Sequence, residues 1–412
     1  MIKRLLFSIA LTLTLPLLSD GQSAFEFTHF NQTTSPELGG NNFKCIAVAR
    51  GGYIWAGSQY HGLVQYDTAT KQWRFSVELG DVLITDIKAD QKGNIWVANA
   101  GRSGLQGGGS NIGGGINKFL AEVPNVTNFY TIAGVGNLTS RNARSIWIDK
   151  FHPPATSARV WLAQGTYIST NITRAGGFSV GDNGASPYFT KGYVGLQVTP
   201  YTGQSGAGTP ACMSVAGNRD EVWVFAQANF GRNQLLRYKT DAGANTFLGV
   251  YDNTNTPVLS NGFRANAMFF DDQERGWIGL NEGGLIIKSG AVWKTMNDAS
   301  VLPVGTAVNP NAIAGDEAGN VYIGTNNGLI IYQGGPVDAS GSYKRVTTAD
   351  GLPTNMINGI AEDTLRKSIV LAHNAGISFM KYNKKVNATL EWDFSFPKLT
   401  IKPKGVTADG VS

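Results

Sequence analysis

Four histidines are spread over 412 residues: His29, His61, His152 and His373. None stands at H-x-x-x-H or H-E-x-x-H spacing, so no zinc-hydrolase ligand set is written in the chain. No Gly-x-Ser-x-Gly elbow offers a serine nucleophile. His61 and His373 beside Glu282 would be the acid–base or metal-assisted set of a lyase or hydrolase. The stretch "GRSGLQGGGSNIGGG" (101–115) has enough glycine to cradle an anion on backbone N–H groups. It is not a P-loop, because no Gly-Lys-Ser/Thr follows and no helix opens after it. Its alternative is a flexible insertion. Tyr60, Arg102 and Tyr167, with the amides Asn99 and Gln164, suit a sugar or peptide better than a reaction. Tyrosine stacks and donates a hydroxyl, the amides offer donor and acceptor, and arginine grips carboxylates. The expected site is therefore one of ligand binding, at Tyr60, His61, Asn99, Arg102, Gln164, Tyr167, Glu282 and His373. No catalytic residue, metal ligand or cofactor is assigned.

The elements that must carry these residues repeat. Trp55, Trp96, Trp161, Trp223, Trp277, Tyr322 and Val370 each open a short apolar stretch, at spacings of 41, 65, 62, 54, 45 and 48 residues. An alternating strand precedes each one, from "FKCIAVAR" (43–50) to "INGIAEDT" (357–364). Third strands such as "GLVQYD" (62–67) and aromatic outer strands such as "QWRFSV" (72–77) follow. The pattern predicts an all-β fold, a seven-bladed β-propeller of four-stranded antiparallel blades. "FEFTHF" (25–30) is expected to close the ring as the outer strand of the last blade, with "LEWDFSF" (390–396) as its rival. Second-strand ends (Ser58, Asn99, Gln164, Thr325, His373) and adjoining loops (Tyr60, His61, Arg102, Tyr167, Glu282) then share one face. Asn42, Asn142, Asn266, Asn311 and Asn358 recur where first strands begin. They would line the channel mouth or bond local backbone. "ADQKGNIW" (89–96) resembles a sialidase Asp-box but has one residue too many between Asp and Gly, so a turn accounts for it.

Composition narrows the setting. Lys3 and Arg4 precede the apolar run 5–18 and small residues at 19–21, the layout of a secretory signal peptide. Its removal takes Lys3, Arg4 and Asp20 and changes the formal charge from +5 to +4, too mild a balance to imply nucleic acid. No second apolar run is long enough to span a bilayer. A secreted, periplasmic or cell-surface monomer without stable membrane insertion is expected. Two cysteines in such a chain suggest a disulfide, but Cys45 and Cys212 fall on first strands of blades that do not adjoin. Two buried free thiols are expected instead. The domain plan is 1–21 signal peptide, 22–396 propeller, and 397–412 linker or start of a truncated C-terminal domain.

The cleanest repeat, "GNVYIGTNNGLIIY" (319–332) followed by "ADGLPTNMI" (349–357), resembles the two-component-regulator propeller repeat. The likeness extends over roughly 25–385, partly at 43–76 and 265–296 and loosely between them. It implies a propeller of the kind found in Bacteroidetes-type bacteria, as periplasmic glycan-sensing halves of hybrid two-component systems or in secreted and type IX secretion proteins. The expected function is a non-enzymatic binding module whose loop face engages a glycan, peptide or protein partner. The alternatives are a structural or assembly component of a surface or type IX apparatus, and the metal-assisted lyase or hydrolase above.

Overall fold

The computed structural model describes residues 25–59, 61–76, 83–100, 114–121, 126–130, 138, 140, 142–152, 158–165, 167–169, 172–174, 176–181, 189–194, 211–227, 233–240, 246–382, 392–393 and 400–401. The expected signal peptide and most of the tail at 397–412 lie outside them. Trp392–Asp393 and Thr400–Ile401 pair with each other and join no blade.

Antiparallel meanders account for nearly all of the described chain. Four-stranded sheets cover 43–76, 211–251, 265–296 and 308–346, and a fifth joins Phe25–Phe30 to the three strands of 357–382. The meanders at 83–130 and 142–194 share one eight-stranded sheet, held together by the pair Asn142 and Ala100. The fold is thus an all-β propeller of four-stranded antiparallel blades. It has six large sheets among the described residues where the sequence predicts seven blades. The merger rests on that one pair, between the first residue of the strand Asn142–Asp149 and the last of Asn94–Ala100.

The first strands of successive units pack side by side, and the last, Ile357–Asp363, packs against the first, Phe43–Val48. Small residues make this crowding possible. A Cβ on Gly359 would stand 2.9 Å from the Cα of Cys45. Behind the first strands, Trp55, Trp96, Trp161, Trp223, Trp277 and Tyr322 are at most 2% exposed. Each fully buried aromatic of this kind contributes on the order of 2–3 kcal/mol, which is why the repeat keeps it. Three of them have their polar atom matched by the turn before the second strand. Asp90, Asp271 and Asp316 use Oδ1 to accept two backbone N–H groups of their own turn. Their Oδ2 accepts from Trp96 Nε1, Trp277 Nε1 and the Tyr322 hydroxyl at 2.8–2.9 Å. The Asp-box resemblance is therefore a turn that also anchors the aromatic six residues on. Cys45 and Cys212 are free and buried, at 3% and 0% exposure.

The ring closes through Phe25–Phe30, which pairs antiparallel with Gly376–Tyr382 from Phe25↔Tyr382 to Phe30↔Ile377. Gly376 takes φ 124°, and a Cβ there would sit 2.0 Å from the Phe30 carbonyl oxygen, so glycine is needed where the closing strand lands. A chain of four hydrogen bonds fixes the closing strand. The Gly351 carbonyl can only accept, so His29 carries its proton on Nε2 (3.1 Å). The Ala375 N–H can only donate, to His373 Nδ1 at 3.2 Å, so His373 carries its proton on Nε2. His373 Nε2–H donates to Ser378 Oγ at 2.6 Å, and the Ser378 hydroxyl donates to His29 Nδ1 at 2.7 Å. Every donor meets an acceptor with both rings neutral.

This network predicts acid sensitivity. His373 titrates at about 3, below its ordinary 6.5, because burial disfavours the imidazolium and His29 repels it. The unfolded chain takes up a proton that the folded chain refuses, so the contribution is whole above about pH 6.5 and is lost as pH falls toward 3. Denaturant unfolding across that range should show stability falling with pH. His373→Gln, which keeps a donor toward Ser378, should flatten the slope. Equal slopes in the two proteins would contradict the account.

Candidate functional site

A β-bulge stands near the start of every first strand. Register shifts fall between Phe43/Cys45, Ile84/Asp86, Ala143/Ser145, Cys212/Ser214, Ala265/Ala267 and Ile357/Gly359. In Val308–Gly315 the shift is larger, from Val308 to Ile313. A bulge inserts an unpaired residue and re-aims its side chain. The bulged residues are Lys44, Thr85, Arg144, Met213, Asn266, Asn358 and, in the longer insertion, Asn309 and Pro310. All of them line one cavity of about 360 Å³ at the end of the channel where first strands begin and second strands end. Asn311 follows Pro310 but lines the cavity at the other end of the channel. Its φ is 57°, and its Nδ2 crosses the axis to donate to the Arg144 carbonyl at 2.9 Å and the Thr85 carbonyl at 3.3 Å.

Four bulged side chains hold the ring together in the same way. Each donates to the carbonyl of the residue just before the bulge on the next unit. Thr85 Oγ1 reaches Ala143 O at 2.9 Å, Asn266 Nδ2 reaches Val308 O at 2.8 Å, Asn309 Nδ2 reaches Ile357 O at 2.7 Å, and Asn358 Nδ2 reaches Phe43 O at 2.8 Å. Lys44, Arg144 and Met213 make no such clasp. Arg144 Nε is buried without a hydrogen-bond partner. Burial pulls the Arg144 guanidinium and the Lys44 ammonium below their ordinary ranges, and no carboxylate offsets either shift. No carboxylate of the described residues lines the cavity. Asp86, next along from Thr85, is engaged elsewhere: it accepts from Ile87 N, Ile146 N and Lys88 Nζ at 2.8–3.0 Å. Two half-buried cations facing one small cavity without a counter-charge favour an anion there.

The opposite end of the channel holds a larger cavity of about 560 Å³, but both signs of charge line it. There Lys88 is 3.0 Å from Asp86, and Asp271 is 2.6 Å from Arg275.

The residues expected from sequence are dispersed. Tyr60 and Arg102 lie outside the described residues. Tyr167 opens a short hairpin, pairing with Arg174. His61 is exposed; its N–H donates to Ser58 Oγ at 2.6 Å and its ring covers Gly40, where a Cβ would meet Cδ2 at 2.3 Å. Asn99 and Gln164 are buried, the first donating to Asn117 Oδ1 at 2.7 Å, the second to Ser140 O while accepting from Ser179 Oγ at 2.6 Å. Glu282 is exposed and lies 3.6 Å from Arg264. His373 is in the closing sheet, bonded as above, and no described contact joins it to His61 or Glu282. Ser58 and Thr325 are likewise buried and bonded within their own turns. Among the described residues, no three of His, Cys, Asp and Glu gather as metal ligands.

The bulge ring is what sequence reasoning missed. The recurring asparagines pointed to it, since Asn266 and Asn358 occupy bulges, where they both line the mouth and bond backbone. Asn42 and Asn142, however, stand two residues before the bulges that hold Lys44 and Arg144, so aligning the asparagines hides the two cations.

No family model matches the chain, and no curated protein does. Solved structures do. The extracellular domain of the putative hybrid two component system BT4673 from B. thetaiotaomicron aligns at 16% identity and TM-score 0.54, over 89% of this chain and 40% of that one. This chain thus spans less than half of that relative. YCF48 bound to D1 peptide aligns at 9% identity and TM-score 0.53, over 88% and 96% of the two chains. The Myceliophteria thermophila Cps50 (Swd1) β-propeller domain aligns at 11% and 0.53, over 83% and 97%. These likenesses establish the fold, a β-propeller. No helix of the described residues is long and apolar enough to cross a membrane.

The clasp pattern predicts opposite effects on stability. Asn358→Ala strands the Phe43 carbonyl and should cost about 1–2 kcal/mol. Arg144→Met removes a charge that has no described partner and should raise the unfolding free energy. Urea unfolding of both variants checks this. A loss in Arg144→Met matching that of Asn358→Ala would mean that Arg144 serves the ring instead.

Proposed function

We propose that the chain is a non-enzymatic binding module, secreted or periplasmic, whose loop face engages a glycan, peptide or protein partner at the mouth of the channel. The supporting observation is the bulge ring, which aims one side chain from each unit into a single cavity and leaves two cations there unmatched. Stability is given up at Lys44 and Arg144, a common mark of a working site. The 83–194 sheet acts in this reading as two blades joined by one residue pair, which makes the ring seven-bladed with Phe25–Phe30 as its closing outer strand. By their place in the chain, Tyr60, His61, Arg102, Tyr167 and Glu282 belong to connections at the same end and are proposed as the rim. YCF48, a propeller of similar extent, carries a D1 peptide, and a partner held the same way suits a chain that acts as a monomer.

The test is a thermal-shift screen of residues 22–412 against oligosaccharides and peptides, repeated with Met213→Trp, which fills the cavity from an unclasped position. A partner should raise the melting temperature of the wild type by mass action. The Met213→Trp protein should keep its own melting temperature and lose the shift. A shift that survives Met213→Trp would place the partner elsewhere and overturn the reading.

A further inference from the structure

We propose that the mouth cavity captures the carboxylate at the free end of a peptide chain, with Arg144 and Lys44 as its cationic contacts; this rests on the binding reading above.

Four features select that occupant. The first is charge: two cations and no described carboxylate line the cavity. The guanidinium presents its donors as a planar fork that matches a carboxylate, and one of them, Nε, is buried and unmatched. The second is shape. Asn309 and Pro310 line this cavity, while Asn311, whose side chain crosses the axis, lines the one at the opposite end. A channel crossed in this way suits the end of a chain better than a segment passing through. The third is the wall. Leu83, Ile84, Met213, Pro310 and Met356 give it an apolar side, and none of its described lining residues is aromatic. The described wall gives a sugar ring no stacking face, while methionines adapt to side chains of varied shape. The fourth is hydrogen bonding. Asn266, Asn309 and Asn358 spend Nδ2 on the clasps, which leaves their amide oxygens as acceptors for peptide N–H groups.

The carboxylate chemistry has a second possible source in uronate sugars, so the experiment carries both. The probes are an N-acetylated tripeptide library with free C-termini, the same library C-amidated, and oligogalacturonides. Retention on the whole 22–412 chain is read by native mass spectrometry. Free-acid peptides should be retained, and amidation should reduce retention roughly tenfold or more, the loss expected for a hydrogen bond to a charged group. Arg144→Met and Lys44→Met should each reproduce that loss with an unfolding midpoint no lower than wild type. Retention of the amidated library at equal strength would overturn the carboxylate inference. If Met213→Trp still abolished that retention, the mouth would stand as the binding site and only its ligand class would change. Arg144-dependent retention of oligogalacturonides without peptides would replace the peptide end by an acidic sugar. Failure to retain any free-acid peptide would also overturn the inference.

Discussion

A bulge at the start of each first strand, one residue in six units and longer in Val308–Gly315, ties this propeller together and aims side chains into its mouth cavity. Without the bulge, the alternation of a strand would turn that side chain into a neighbouring sheet. With it, the side chain faces the channel, where it has two uses. An asparagine or threonine there reaches the next unit's carbonyl and ties two units together. A lysine, arginine or methionine cannot satisfy that carbonyl in the same way and is left lining the cavity. The clasps run from 265–296 through 308–346 and 357–382 to 43–76, and again from 83–130 to 142–194. The unclasped positions, Lys44, Arg144 and Met213, belong to the units at 43–76, 142–194 and 211–251. Clasping the ring and, in the proposed reading, binding a partner are thus divided among equivalent positions of one repeat.

The rest of the structure serves that arrangement. Asp90, Asp271 and Asp316 tie the turn behind the channel to the aromatic that packs between sheets, so a first strand cannot slide without breaking a buried charge-assisted bond. Phe25–Phe30 completes the last sheet and locks the circle through His29, Ser378 and His373. The order of events in the chain explains the burial of Ser58, Asn99, Gln164, Thr325 and His373. They end second strands one layer back from the channel, where a neighbouring strand or turn supplies a hydrogen-bond partner to each.

The fold was legible because its signals are dense and local. An aromatic marks six of the seven second strands, Val370 marking the last, and each is preceded by a strand of period-two alternation. The closing strand could be placed because an outer strand was missing from the last unit and "FEFTHF" stood in front of the first. The union of 83–130 with 142–194 depends on one backbone pair between Asn142 and Ala100, which side-chain patterns do not encode. The site was harder for a related reason. A one-residue bulge reverses which face the next side chain meets, and nothing in "FKCIAVAR" says whether Lys44 points to water, a sheet or the channel. Chemistry alone drew attention to loop tyrosines, histidines and amides, whereas the cations at the mouth sit inside apolar strands.

The central claim is that Arg144 and Lys44 are charges awaiting a partner's anion. The most direct measurement is a high-resolution crystal structure of residues 22–412 grown with a free-acid peptide retained by the protein. The account predicts a terminal carboxylate oxygen within hydrogen-bond distance of the Arg144 guanidinium, with the peptide end in the cavity beside Met213 and Asn309. A mouth in which a carboxylate of the chain itself, such as Glu78 or Asp81, already occupies that place would contradict it.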